Sequence, residues 1–344
     1  MVADNQVRNQ VQRYCTSIAR DRMHVQAAGG NVSWKSDNTL WIKASGTWLA
    51  DAERRDIFVP VDLQFIRAAL ALGNFAVTPR VREGCVLRPS IETLLHALMP
   101  HRFVVHLHSV DAVVYLTRSN CLANLQAVLG DTFAWELVDY RKPGPELAHA
   151  VHATLLAKPG IQVLLLKNHG LILSAETIDE IARHLETLCR LLCSRPRPLD
   201  GSPHYPPSLI AALDGTNYQV CADETLQCLV TDFEMYERLN DSWAICPDHV
   251  VFLGAQAIRI DDPADLRDTL KTHPASPFAF VKGTGVLENR AVTQAQKEQL
   301  TFYLDVMARQ PVGQLLEPLS YKEVADLLDW DAEKYRLAIN QNTS

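Results

Sequence analysis

"FVVHLHSVDAVVYL" (103–116) sets two histidines one residue apart inside a run that otherwise reads as buried strand. Valine or isoleucine would pack there with no polar atoms to satisfy, so His106 and His108 need something to bind. Residues two apart in a strand project from the same face, which lets the two imidazoles aim at one point while Leu107 faces the other way. A catalytic metal site needs a third nitrogen. His169 in "LLLKNHGLIL" (164–173), where a strand-like run meets a glycine, is the best candidate. Three histidine ligands would leave a coordination position open for substrate. Spacing alone leaves the alternative open, three separate histidines held by hydrogen bonds. His149 and His152 in "ELAHAVH" (146–152) share a helical face with nothing convergent nearby and read as surface residues.

Composition narrows what such a site could serve. The 344 residues exceed one ordinary core and suit two domains. An apolar fraction of 47% and a charged fraction of 21% describe a soluble globular chain. The net charge is −7 and the Lys and Arg residues are scattered, so no basic stripe offers itself to nucleic acid or to an anionic membrane. No run of about 18 apolar residues occurs, which argues against a membrane span. The N-terminal "MVADNQVRNQVQRY" is polar and helix-like, without the apolar core of a signal peptide. Eight cysteines show neither CxxC pairs nor a disulfide framework and read as reduced thiols, so a cytoplasmic location is expected.

The clearest break is "SRPRPLDGSPHYPPS" (194–208), rich in proline. It suggests a domain at 1–195, a linker at 196–208 and a smaller α/β domain at 209–344. Before the break, strand-like runs (LWIKAS, FVVHLH, VLLLKNH) alternate with helix-like ones (SIETLLHALM, SAETIDEIARHLETLCRLLC), the pattern of α/β layers. After it, "DHVVFLG" and "FAFVKGTGVL" read as strands, while "TQAQKEQLTFYLDVMARQ" and the tail "LSYKEVADLLDWDAEKYRLAI" read as helices.

Three polar segments precede the histidine pair. In "LRPSIETLLH" (87–96), Ser90 reads as a helix N-cap and Glu92 as a first-turn carboxylate. Glu92 is either a helix-start residue or, beside a metal, a general acid/base. "AAGGNVSW" (27–34) and "IKASGTWL" (42–49) are turns whose N–H groups and hydroxyls can cradle an anion, or simply join strands.

In the order GGNVS, ASG, PSIETLLH, HLH, KNHG, these segments resemble the class II aldolase/adducin family over roughly residues 8–195. The resemblance implies a three-layer α/β/α fold. It places zinc, or another divalent ion such as Mn²⁺ or Co²⁺, on His106, His108 and His169, with Glu92 as the acid/base. It also implies an anion pocket from Asn31, Ser45, Gly46 and Ser90, and a homo-oligomer, a tetramer, with active sites between subunits. Lys43 and Arg88 flank that pocket and either supply charge to it or are solvated surface charges. Ile91 and Ala28 stand where phosphate-binding members carry hydroxyls, and no equivalent of the neighbouring subunit's tyrosine is found. The implied activity is carbon–carbon bond cleavage or formation in a hydroxycarbonyl or sugar substrate through a metal-stabilised enediolate. The alternatives are epimerisation or decarboxylation at the same site, or an adducin-like interaction module without turnover. Because the three histidines and Glu92 are all present, catalysis is the expectation.

The second half echoes the first. "FAFVKGTGVLE" aligns with "VLLLKNHGLIL", and "CPDHVVFLGA" with "MPHRFVVHLHS". This suggests a shortened, degenerate copy in which Thr284 replaces the metal histidine, while Phe252 and Gly254 fall near the histidine pair. Two unrelated strand-turn-helix units are the alternative. Neither half carries a GxGxxG fingerprint.

Overall fold

The computed structural model describes residues 2–199 and 205–329. Part of the expected linker (200–204) and the end of the expected C-terminal helix (from 330) lie outside the described residues. The chain divides into two compact units, one gathering 2–116 with Asn120–Cys193, the other Thr117–Ser119 with 194–329.

The first unit runs α1 (Val2–Ile18), β1 (Asn31–Ser36), β2 (Thr39–Lys43), β3 (Phe58–Asp62), α2 (Leu63–Ala71), α3 (Thr93–Leu98), β4 (Phe103–Leu107) and α4 (Val110–Leu116). It continues with α5 (Cys121–Leu129), β5 (Trp135–Val138), α6 (Pro145–Ala157), β6 (Val163–Leu166), β7 (Gly170–Ala175) and α7 (Ile178–Leu192). The strands form one seven-stranded sheet in the order β3-β2-β1-β4-β7-β6-β5, antiparallel except for β5 beside β6. Period-two alternation sorts its side chains. Val32, Trp34, Phe103, Val105, Leu107, Leu171 and Leu173 pack with apolar residues of α1, α4, α5 and α7. On the opposite face Val104, Leu164 and Ile172 pack with residues of α3 and α6, and Leu40, Ile42, Val59 and Val61 with residues of α2 and α3. Helices thus cover both faces, the expected three-layer α/β/α arrangement. Thr177 and Glu180 close a reciprocal capping box at the start of α7, which fixes where this amphipathic helix begins.

The second unit holds α8 (Pro207–Ala212), β8 (Tyr218–Val220), α9 (Cys228–Thr231), α10 (Phe233–Asp241), α11 (Pro247–Leu253) and β9 (Arg259–Ile260). Then follow α12 (Leu266–Thr272), β10 (Phe278–Val281), β11 (Gly285–Asn289), α13 (Gln294–Ala308) and α14 (Tyr321–Leu328). Its sheet has the order β8-β11-β10-β9. Two antiparallel pairings are followed by one parallel pairing, as in β4-β7-β6-β5.

One expected strand is absent. "DHVVFLG" forms α11, because Pro247 occupies the first helical turn and Asp248 favours its N-terminal dipole end. A short apolar run buried on all sides carries no periodicity to tell strand from helix. Phe252 and Gly254 therefore do not stand in for the histidine pair. The strand in the place of β4 is β8, whose Val220 pairs with Leu287 of β11 as His106 pairs with Ile172 of β7.

Candidate metal centre

β4 ends at Leu107, so His106 is the last residue of the strand on the α3 side and His108 the first residue on that side beyond it. His169 lies in the turn between β6 and β7. There Asn168 adopts a left-handed conformation (φ 52°), which asparagine tolerates better than most residues, and the chain reverses within three residues. Gly170 follows because β4 passes close by: a Cβ at this position would lie 2.3 Å from Leu107 O.

The three imidazoles converge. Their ligand atoms all lie within 4.8 Å of one another, all three residues are buried, and the rings meet edge to face or tilted with centroids 4.8–5.2 Å apart. His106 Nδ1 donates to Leu171 O at 3.0 Å, which leaves the Nε2 lone pair facing inward, 3.1 Å from His108 Nε2. Such an outer carbonyl is what orients a metal-binding histidine. Two nitrogens each about 2.0–2.1 Å from a tetrahedral ion lie about 3.4 Å apart, so the present spacing suits a shared cation. The residues fit a divalent metal.

Glu92 completes the cluster. It is the N-cap of α3 rather than a first-turn residue, and Ser90, instead of capping the helix, accepts the Glu92 backbone N–H on its hydroxyl at 3.2 Å. The Glu92 carboxylate is buried, with Oε2 3.5 Å from His106 Nε2 and Oε1 3.5 Å from His169 Nε2. Asn31 Nδ2 donates to Oε2 at 2.6 Å, while Oε1 accepts no hydrogen bond. This bonded carboxylate, half satisfied and set against two imidazoles, has one oxygen available for an incoming proton or hydroxyl.

The turns expected to cradle an anion are laced together beside it. Ser45 N donates to Arg88 O and Ser90 N to Lys43 O, which laces 43–46 to 88–90. Lys43 does not reach out as a free charge. Its buried ammonium donates to Ala28 O (2.9 Å) and Thr47 O (2.5 Å), tying together the two turns that carry Asn31 and Gly46. His149 and His152 pack at the ring of Phe75, with centroids 5.0 and 5.3 Å away.

Three further polar residues escaped the sequence reading. Ser33 and Lys35 alternate with Val32 and Trp34 on β1, and His96 lies one helical turn after Glu92. Ser33 Oγ and His96 Nδ1 are hydrogen-bonded at 2.8 Å. Burial, then the charges of His106 and Lys35, push the His96 pKa well below its usual value, so it is neutral. Lys35 donates to Met99 O, and to His101 O at 2.7 Å. Burial and, after it, Arg67 pull its pKa down to about 7, against the opposing pull of Glu176. The signal was present: a strand facing a purely apolar layer would not alternate Asn, Ser and Lys with Val and Trp.

The family model for the class II aldolase and adducin N-terminal domain matches residues 9–193. The chain belongs to this family. It is 29% identical to the L-fuculose phosphate aldolase of Methanococcus vannielii over 176 residues, 49% of this chain and 84% of that protein. It is 28% identical over 178 residues to YuxG, an uncharacterised oxidoreductase of Bacillus subtilis, 47% of this chain and 25% of the relative. The matched part thus spans only a quarter of that larger protein. Among solved structures, the N-terminal class II aldolase domain of a Thermoplasma acidophilum protein shares 25% identity with a TM-score of 0.44, covering 53% of this chain and 90% of that one. The Escherichia coli protein YgbL, described as a putative aldolase/epimerase/decarboxylase, shares 22% with a TM-score of 0.42, covering 55% and 88%. Among the described residues, no helix is long and apolar enough to cross a membrane.

Proposed function

We propose that the protein is a metal-dependent class II aldolase acting on a small hydroxycarbonyl substrate of the sugar, sugar-phosphate or sugar-acid type. The observation that carries this reading is the Glu92 carboxylate, held by Asn31 and set 3.5 Å from Nε2 of both His106 and His169. His106, His108 and His169 would hold the ion, with zinc favoured by an all-imidazole donor set. A divalent ion bound there supplies Lewis-acid polarisation of the substrate carbonyl and offsets the negative charge that develops on oxygen. Glu92 moves the proton to or from the carbon beside the carbonyl, and the Asn31 bond, made to Oε2, leaves Oε1 without a hydrogen bond for that task. The turns carrying Ser45, Gly46 and Ser90 hold the far end of the substrate, an anionic group or a hydroxyl. Lys43 supports these turns from behind.

The same reading carries a homotetramer and a cytoplasmic location. The eight cysteines are all free, which supports a reducing compartment. Protein purified without chelator should carry about one zinc per chain, and His108→Ala should lose it. Glu92→Gln should keep metal and fold but lose turnover by about a hundredfold or more. Near-normal turnover in Glu92→Gln would reduce Glu92 to a helix-start residue. Product analysis with candidate sugars decides between aldol cleavage, epimerisation and decarboxylation, and a metal-free protein without turnover would point to an interaction module.

A further inference from the structure

β1 and α3 are joined by a row of polar contacts that no apolar packing requires. Asn31, Ser33 and Lys35 share one face of β1, since Val32 and Trp34 belong to the core on the other. All three are buried, and each engages a successive level of the α3 segment. Asn31 holds the Glu92 carboxylate, Ser33 bonds His96, and Lys35 donates to the carbonyl of Met99, the C-cap. Two strand residues advance about 6.6 Å, against about 6 Å for the four helix residues from 92 to 96 and about 4.5 Å for the three from 96 to 99, a difference that the long Lys35 side chain spans, so contacts at 31/92, 33/96 and 35/99 follow one another along the two elements. The Lys35 ammonium also lies at the negative end of the α3 dipole.

From this we infer that Ser33 and Lys35 are positioning residues for Glu92: the polar face of β1 fixes α3 along its axis and thereby sets where the carboxylate stands. A slide of α3 by one residue, about 1.5 Å, would break all three contacts at once. Apolar packing by Leu94, Leu95 and Ala97 resists separation of helix from sheet but is far less sensitive to such a slide. A displacement of about 1 Å at a catalytic group can cost about a hundredfold in rate, so axial fixing of α3 matters more to Glu92 than to the fold.

The inference rests on the acid/base reading of Glu92, and the test separates the two. The full chain, loaded with zinc, is labelled with ¹³C at the glutamate side-chain carboxyls, and the Glu92 resonance is identified as the one missing from Glu92→Gln. Ser33→Ala and Lys35→Met are independent arms, so a variant that fails to fold leaves the other to decide. In a folded variant with unchanged zinc content, the Glu92 resonance should shift or split. Deuterium exchange into dihydroxyacetone phosphate should fall about tenfold to a hundredfold. An unmoved Glu92 resonance in a folded variant overturns the inference, whatever the stability loss. Normal exchange in Glu92→Gln sinks the acid/base reading instead; there, as in a wild type that does not turn over this probe, the resonance alone decides the positioning role.

Discussion

At the scale of single residues, the histidine pair stood out because polar atoms in a buried strand break a local rule, whereas Glu92, ordinary at a helix start, stood out only through the resemblance. Ser33, Lys35 and His96 did not stand out, because each is ordinary in its own segment and acquires a role only through a partner more than sixty residues away. Lys35 offers a test by pH. Its folded pKa, about 7, lies below the ordinary lysine value of 10.5. Below pH 7 both the folded and the unfolded chain carry the proton, and the cost of burying the charge is fully present. As pH rises above 7 the folded chain releases the proton while the unfolded chain keeps it, so this group adds stability with rising pH. Urea unfolding at pH 7 to 8.5, below the titration of most thiols and phenols, should show the wild type gaining steadily on Lys35→Met. A stability difference that stays constant over this range would mean that Lys35 does not titrate there.

At the scale of elements, alternation and capping were the reliable signals. β2, β4, β6, α7 and α13 all form where strand-like or helix-like patterns predicted them, and α13 repeats the Thr-led capping box of α7. The failure was α11, where four of seven residues (Val250 to Leu253) are apolar and strand-like in isolation, while Pro247 and burial on every side decided for helix. The β6–β7 turn makes the sharpest demand on any element boundary in the site. Gly170→Ala places a methyl group against Leu107 O, and neither strand can retreat because each also pairs with another neighbour. Overpacking of this kind costs about 3 kcal/mol, which should appear as a lower denaturant midpoint together with weakened zinc retention, since His169 moves with the turn. Wild-type stability in Gly170→Ala would show that the approach is looser than it looks.

At the scale of the whole molecule, we propose that the second unit is a shortened copy of the β4–α7 half of the first. The sheets share order and strand direction. The correspondence extends to single hydrogen bonds. Asn168 N to Leu116 O matches Gly283 N to Val230 O, and Lys167 N to Val138 O matches Lys282 N to Ile260 O. Ser174 N to Gln162 O likewise matches Asn289 N to Pro277 O. Gly283 adopts a left-handed conformation as Asn168 does, which puts Thr284 in the place of His169. The sequence disclosed this turn because lysine and glycine are retained, but it misplaced the strand before it, since β8 has kept nothing of the histidine pair. Val220 and Thr284 offer no imidazole, so zinc titration of the full chain should saturate at about one equivalent, and His169→Ala should abolish tight binding altogether. A second tight equivalent that survives His169→Ala would contradict the silent copy.

The candidate centre draws on β1, the start of α3, the end of β4 and the β6–β7 turn, and this has a consequence for the order in which the molecule is made. His106 and His108 are neighbours in any state of the chain, but His169 and Glu92 reach them only after β4 has paired with β7 and α3 has docked on β1. Contacts of such long sequence separation form late and slowly. On the proposed metal reading, a cation in the refolding mixture would meet at most a two-nitrogen chelate until the central strands have zipped, so tight capture should come at the end of folding and not at its nucleus.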